Sequence, residues 1–503
     1  MGNVLVKEET LTQIADAIRE KSGTDDLYKP EEMPEAILEI STYSGDGADP
    51  NKPVRFYDPY GELVYSYTLK EISELTELPL LPERKGLTAQ NWNWSLEKIL
   101  EVNGELEIGS LYITDDGSTR IYVDLIEETL NPKIGFRQMI ANSVAVDWGD
   151  GSPLEISDVA GDDTFASIEH QYSKPRSYII RLIPENGAEF TFLGDSYSTR
   201  ILHKDVDYSH ANKAYGNKIR KIELGRGITE LTGRCFFSYS IESVTIPESI
   251  TSFSTAFQGC YGIKVITFPR GVSSMTSYAV RECRTLEKIL FSDSLVSLGG
   301  TSFADCSNLK DVVIPPSVKL TYTDIFADCI GLRRVVLPSA VTTIPSDIFD
   351  GCYLLEDVVI KGEITKIGSG AFNNCRSLKS IELSEELTEI GASAFYCCYS
   401  LQSIKLPDTI TRISAALFYC CYSLQEITIP KNITEIQGSV FSGCSTMEHY
   451  YMMPTVPPTL ENVSAFAGIS EMCKIHVPKG CLETYQTAEY WSEYADHMVE
   501  MEE

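Results

Sequence analysis

Phenylalanine stands three residues before cysteine at Phe303, Phe326, Phe349, Phe372, Phe395, Phe418 and Phe441, each 23 residues from the next. Phe257 lies two such steps before Phe303, with Val280 and Cys283 on the rung between, and Phe466 follows Phe441 after 25 residues without the cysteine. A chain repeating at this period has little freedom of fold. Each copy is one short coil that cannot bury its own apolar face, and copies bury it only by stacking. In the copy Phe326, Cys329, Leu332, Val335, Leu337, Pro338 the pattern is F-x-x-C-x-x-L-x-x-[VI]-x-[LIF]-P, followed by a shorter apolar pair, Val341 and Ile344. Val335 and Leu337 alternate and so point to one side of a short strand. Pro338 ends that strand and begins the return turn. The expectation is a solenoid with a continuous core and a parallel sheet along one side. Its departures include Val280 and several positions without proline, among them Ser292, Lys361 and Ser384.

Nine of the 14 cysteines (Cys260, Cys283, Cys306, Cys329, Cys352, Cys375, Cys398, Cys421 and Cys444) share one phase of the repeat. That phase faces inward, where a free cysteine behaves as a small hydrophobe. Coils about 5 Å apart leave bridging open on distance, but thiols in a parallel ladder do not converge on a tetrahedral zinc. No metal and no cofactor are expected.

With 503 residues the chain is several domains long, and a net charge of −30 with a pI near 4.6 argues against nucleic acid and against anionic membranes as partners. No apolar run is long enough to span a bilayer. Met1–Glu20 carries polar residues throughout and lacks an apolar signal core, so retention in a cytosol, or exit by a route without a signal, is expected.

In chain order, residues 1–40 form a small helical unit: Leu11, Ile14, Ala15 and Ile18 have helical spacing and a second short helix begins at Pro34. Leu11–Arg19, Lys21–Thr24, Pro30–Met33 and Ala36–Ile37 resemble a leader common in tail and other structural proteins of phages of Gram-positive bacteria. That resemblance implies a virion-anchoring role for Leu11, Ile14 and Ile18. Residues 41–53 are a linker of Gly, Ser, Asp and Pro. Residues 54–104 are a small β-rich module, with a hairpin about Asp58–Gly61 and an order similar to the β-grasp repeats of bacterial surface proteins. Its Trp92 and Trp94 are either packing residues or a sugar-stacking pair. Residues 105–200 are read as a β-sandwich. Val146–Ser152 (VDWGDGS) with His170, Tyr172 and Ser177–Leu182 resembles the PKD type of immunoglobulin-like domain, which implies a spacer or adhesion module. Asp147 and Asp150 on that turn fall short of the six to eight oxygens calcium takes. Residues 201–220 are a connector, 221–480 the solenoid and 481–503 a cap. The Phe-to-Pro phases, with the ending Ile475–Lys479, Tyr485 and Trp491–Ala495, resemble the BspA-like leucine-rich repeats of bacterial surface proteins and some phage proteins. The fold class is therefore multidomain and mainly β: a small N-terminal helical segment, β-rich modules including an immunoglobulin-like sandwich, and a C-terminal leucine-rich repeat solenoid.

No catalytic signature holds any of the six histidines, and the densest ligand-like cluster, His203, Asp205, Asp207 and His210, lies in a polar stretch. The chain is not expected to be an enzyme. Two columns of the solenoid are candidate recognition surfaces. Between the inward strand positions lie Thr245, Thr267, Leu290, Val313, Val336, Val359, Glu382, Lys405 and Thr428, beside Arg333 and Arg334. The apolar run Leu290, Val313, Val336 and Val359 is either a partner surface or β-branched propensity. On the turn edge, Tyr353, Tyr399 and Tyr422 follow their cysteines, and Tyr396 and Tyr419 follow their phenylalanines. This edge suits sugar rings or a protein partner, or else packs coil on coil.

The functional expectation is a virion protein of a phage tail or tail fibre, assembled in the host cytoplasm. It is anchored to other virion proteins by its N-terminus and adheres to a host surface protein or glycan through the solenoid. The alternative is a bacterial cell-surface adhesin of the BspA-like kind, against which the missing signal core counts. Homo-oligomerisation stays open, although no heptad run suggests a coiled-coil stalk.

Overall fold

The computed structural model describes residues 51–102, 104–138, 143–157, 164–185, 187–192, 201–203, 215–237 and 241–502. The leader over 1–40, with Leu11, Ile14 and Ile18, most of the 41–53 linker, and Asp205, Asp207 and His210 lie outside the described residues. The described chain is mainly strand with a few short helices, none of them long and apolar enough to cross a membrane.

The first module comprises β1 (Pro53–Tyr57), β2 (Leu63–Thr68), α1 (Leu69–Ser73), β3 (Leu87–Trp92), α2 (Leu96–Leu100) and β4 (Leu106–Thr114). The sheet order is β2-β1-β4-β3, with β1 and β4 parallel and the outer pairs antiparallel. The β1–β2 hairpin turns on Asp58, whose buried carboxylate accepts from the backbone N–H of Tyr60 and Glu62 and pairs with Arg84 at 2.6 Å. α1 starts with a reciprocal capping box between Thr68 and Glu71, which satisfies two otherwise orphaned N–H groups. Trp92 packs edge-on against Phe56 at 4.9 Å in the module core. The module therefore runs past the expected boundary at 104. Gly104 reads as a break, but the strand after it returns to the centre of the sheet beside β1.

β5 (Thr119–Asp124), β6 (Lys133–Gln138), β7 (Val144–Asp147), β8 (Glu155–Ser157), β9 (Thr164–Glu169), β10 (Ser177–Pro184), β11 (Phe190–Thr191), β12 (Leu202–His203) and β13 (Ile219–Glu223) form two sheets around a shared core. One has the order β11-β6-β12 with β9 also paired to β6. The other runs β8-β7-β10-β5-β13 and continues into the first solenoid strand, Ser243–Thr245, which pairs parallel to β13. The stretch expected as a connector thus supplies β12 and the start of β13. β12, with two residues, leaves no alternation to read. The consequence is mechanical: the edge of the solenoid sheet is hydrogen-bonded from its first coil, so no open edge is left there to recruit another chain.

The solenoid then repeats as its period requires. The phenylalanines stack face to face from Phe303 through Phe466, with centroids 5.3–5.9 Å apart and ring planes within 3–22° of parallel. The nine ladder cysteines are free and buried. From Cys283 to Cys444 each S–H donates to a backbone carbonyl one coil back, mostly that of the preceding Phe, at 3.0–3.3 Å. Burial pushes the Cys260, Cys306 and Cys444 thiols up to about 12. They are thiols, not thiolates, and unreactive.

At the far end Lys474–Val477 pairs parallel to His449–Met452 and then to the last strand, Met498–Glu500. Between them α3 (Leu482–Thr487) and the turn Trp491–His497 fold over the last coil. Tyr485 donates to the Pro454 carbonyl and Trp491 to that of Pro458, both at 2.7 Å. The cap is therefore hydrogen-bonded to the coil it covers, as an open stack requires.

From the Val280 coil to the Phe441 coil there are two left-handed positions, two residues before and two after the Phe or Val, as at Asp324 and Asp328 or Asp347 and Gly351. The carboxyl of Asp347, at φ 54°, is raised by burial and by Asp324 on the coil before. Its charge therefore costs stability as pH rises through the folded pKa. Asparagine tolerates this conformation well and carries no charge. Asp347→Asn is expected to raise the melting temperature by about 1–2 °C at pH 7, with the gain fading below about pH 4. Thermal melts of both proteins at pH 7 and pH 3.5 check it; an equal gain at both pH values would remove the charge explanation.

Candidate functional site

The Trp148–Ser152 turn spends its carboxylates locally. Asp147 accepts from the Gly149 N–H at 2.9 Å, and Asp150 accepts from the Ser152 N–H at 3.0 Å and meets His170 Nε2 at 2.9 Å. Burial alone would raise the Asp150 carboxyl, but the bonds from His170 and Ser152 outweigh it and hold it at about 2. Trp148 is buried under the His170 ring, 4.7 Å away and nearly parallel, and accepts at its carbonyl from Tyr172. Tryptophan, histidine and tyrosine are therefore one packed corner. His203 is likewise buried, 3.4 Å from the Ser167 hydroxyl.

The first column of the solenoid is not an open face along its apolar part. The first module lies across it. Asn93, fully buried, donates from Nδ2 towards the carbonyls of Phe268, Leu290 and Phe291 at 3.0–3.2 Å and accepts from the Gly109 N–H at 2.7 Å. Trp94 donates to the Phe291 carbonyl, and Asp293 caps the Ser95 N–H that opens α2. At Gly109 a Cβ would come within 2.5 Å of Thr267 and 3.0 Å of Leu290, so only glycine lets the two sheets approach this closely. Lys288 pairs with Glu107 at 2.6 Å and Arg334 with Glu105 at 2.5 Å.

Leu290 and Val336, expected on a partner surface, are thus 0% and 1% exposed, and Arg334 is engaged within the chain. Val313 lines a cavity of about 480 Å³ between module and solenoid, beside Lys52, Glu105, Leu106 and Lys361. Val359 is half-buried, and Arg333 remains on the surface, paired to Glu356 at 3.6 Å. The column opens to solvent only where its residues turn polar, at Glu382, Lys405 and Thr428. Along Leu290 and Val313 the apolar stripe is therefore occupied by the chain's own N-terminal module. Trp92 and Trp94, both buried, serve packing.

The second column stays on the surface. Tyr396 and Tyr419 stack at 4.7 Å with planes 2° apart, and Tyr399 and Tyr422 at 4.9 Å and 24°. The Arg376 guanidinium lies 4.2 Å from the Tyr353 ring and 5.3 Å from Tyr399, so Tyr353, Arg376, Tyr399 and Tyr422 form one ladder across four coils. Tyr353 and Tyr422, its two ends, are 36% and 41% exposed. The Cys420 thiol beside Tyr422 pushes that hydroxyl up to about 12. Stacking covers the ring faces that these tyrosines turn to one another, which a sugar would otherwise use. What the edge offers is ring rims, phenol hydroxyls and one guanidinium, at fixed spacing.

Between the tyrosines, Cys397 and Cys420 take the left-handed position at φ 56° and 57°, where the coils before them carry Gly, Glu, Asp or Asn. A residue with a Cβ is strained there by about 1–2 kcal/mol. Sequence reading missed this strain; it placed Arg376 in the Tyr353 phase without taking it as a contact residue.

The model of the BspA type leucine-rich repeat region (6 copies) matches residues 188–256, 211–287, 229–356 and 342–472. Among solved structures the chain is similar to a leucine-rich repeat protein from Bacteroides ovatus, at 22% identity over 63% of this chain and 96% of that one, with a TM-score of 0.40. It is also similar to a leucine-rich cell surface protein from Faecalibacterium prausnitzii, at 22% identity, 63% and 95% coverage and a TM-score of 0.35. A third likeness is to the pneumococcal vaccine antigen PcpA, at 16% identity, 57% and 78% coverage and a TM-score of 0.34. No curated protein matches the chain. With the repeat model covering more than half of its residues, the chain belongs to the BspA-type leucine-rich repeat family.

Proposed function

We propose that the chain is a non-enzymatic adhesion protein of a bacterial cell surface, a rigid display scaffold that grips a surface protein or glycan along its tyrosine edge. The carrying observation is the exposed ladder Tyr353, Arg376, Tyr399, Tyr422, with Tyr396 and Tyr419 beside it, on a stack closed at both ends. Tyrosine and arginine on a pre-ordered frame lose little entropy on binding and dominate interfaces. The Trp148–Ser152 turn and its His170 and Tyr172 corner support a PKD-type immunoglobulin-like spacer between the N-terminal module and the solenoid.

The test uses the full chain, fluorescently labelled, on intact cells. Tyr399→Ala with Tyr422→Ala is expected to weaken binding at least about tenfold, with the melting curve of the solenoid retained. Undiminished binding would remove this edge as the contact. The virion reading rests on the Leu11–Ile37 resemblance alone; mass spectrometry of purified phage particles that failed to find the chain would remove it.

A further inference from the structure

We propose that His449 and His476 form a two-imidazole chelate for a borderline divalent transition metal ion, Ni2+ or Cu2+, on the outer face of the last coils. The two residues sit on neighbouring parallel strands, His449–Met452 and Lys474–Val477, whose register sets His449 beside Lys474 and Tyr451 beside His476. His449 and His476 are therefore diagonal neighbours on one face. The inward-facing Tyr450, Met452, Ile475 and Val477 are buried and hold both strands in place. His449 Nδ1 and His476 Nε2 lie 3.0 Å apart.

That separation suits a shared metal. Imidazole nitrogens about 2.0–2.1 Å from one ion stand about 2.9 Å apart at adjacent square-planar corners and about 3.3 Å apart in a tetrahedron. The two rings, 55° apart in plane, turn about their side-chain bonds to aim both lone pairs at one ion. The Tyr451 ring, stacked on His476 at 4.7 Å and 20°, holds that imidazole's plane. Burial and the neighbouring His449 lower the pKa of His476, which favours the neutral, ligating form. In register with His449 stand Glu426 on one side and Lys474 on the other, opposite charges flanking the site. No third His, Cys, Asp or Glu joins the pair among the described residues. The remaining coordination positions fall to water, and the order of affinity follows Cu2+ above Ni2+.

Ni2+ alone is the probe, because it does not oxidise thiols. Calorimetric titration of the full chain at pH 7.5 is expected to show one equivalent bound at this site and a rise in melting temperature of several degrees. His476→Ala and His449→Ala are each expected to lose at least about tenfold in affinity for that equivalent. Should a variant fold poorly in the absence of metal, the wild-type chain supplies the second reading: Ni2+ should protect His449 and His476 together from diethyl pyrocarbonate, mapped by mass spectrometry. Equal affinity in well-folded variants, or modification of both histidines at an undiminished rate under saturating Ni2+, overturns the proposal.

Discussion

Asn93→Ala will destabilise the docking of the N-terminal module by about 3–5 kcal/mol. The side chain is completely buried, and its amide is the polar hub between module and solenoid. Its removal leaves the Gly109 N–H without the carbonyl oxygen it donates to at 2.7 Å and takes the Asn93 donor from the Phe268 carbonyl, while the Leu290 and Phe291 carbonyls keep the Phe268 N–H and Trp94. Each polar group left unpaired in a dry interface costs about 1–3 kcal/mol. The expected result is a melting profile that splits, with a new low-temperature transition for residues 51–114 while the solenoid transition is retained. Limited proteolysis should then cut near Asp115–Ser118, between β4 and β5. A single transition within about 1 kcal/mol of the parent would show that the module is held by its ion pairs, Glu107 with Lys288 and Glu105 with Arg334, and not by this amide.

The core of the solenoid was legible because it is local and periodic. One copy fixed which positions point inward, and from Phe303 through Phe441 every phenylalanine, cysteine and leucine of the pattern is buried. The cap was legible for the same reason: Tyr485 and Trp491 interrupt the repeat just where a stack has to end. What covers the sheet was not legible, because Asn93 and Leu290 are 197 residues apart and no periodicity connects them. Clues existed. Ser292 and Lys361, two of the places where the repeat lacks its proline, lie at the junction. Ser292 is buried between Phe291 and Asp293, which bond the module, and Lys361 lines the cavity. A repeat thus departs from its consensus where something other than the next coil must be accommodated. The tyrosine columns were legible as positions, but that their faces are already occupied by one another depends on coil spacing, which sequence does not supply.

Phe372→Ala is the second large effect, again about 3–5 kcal/mol. Phe372 is fully buried between Phe349 at 5.6 Å and Phe395 at 5.5 Å, the latter within 3° of parallel. Its loss opens a phenyl-sized cavity and breaks stacking contacts on both sides, and a stack whose coils touch only their neighbours has no distant contact to compensate. The chain itself contains the control. At Val280 the column lacks a phenyl, and the aromatic path detours from Phe257 through Phe253, Phe268 and Phe291 to Phe303. Phe268 and Phe291 occupy the strand position where the copy of Phe326 has Leu337. Around Phe372 that position holds Ile360 and Leu383, which offer no such detour. Chemical denaturation of Phe372→Ala is expected to lose cooperativity, with the coils on either side of residue 372 unfolding at separate midpoints. Adding a phenyl at the natural gap, Val280→Phe, should fail to stabilise, because the volume is already taken. A cooperative Phe372→Ala transition less than 2 kcal/mol below the parent would mean that the cysteine ladder, not the phenyl stack, couples the coils.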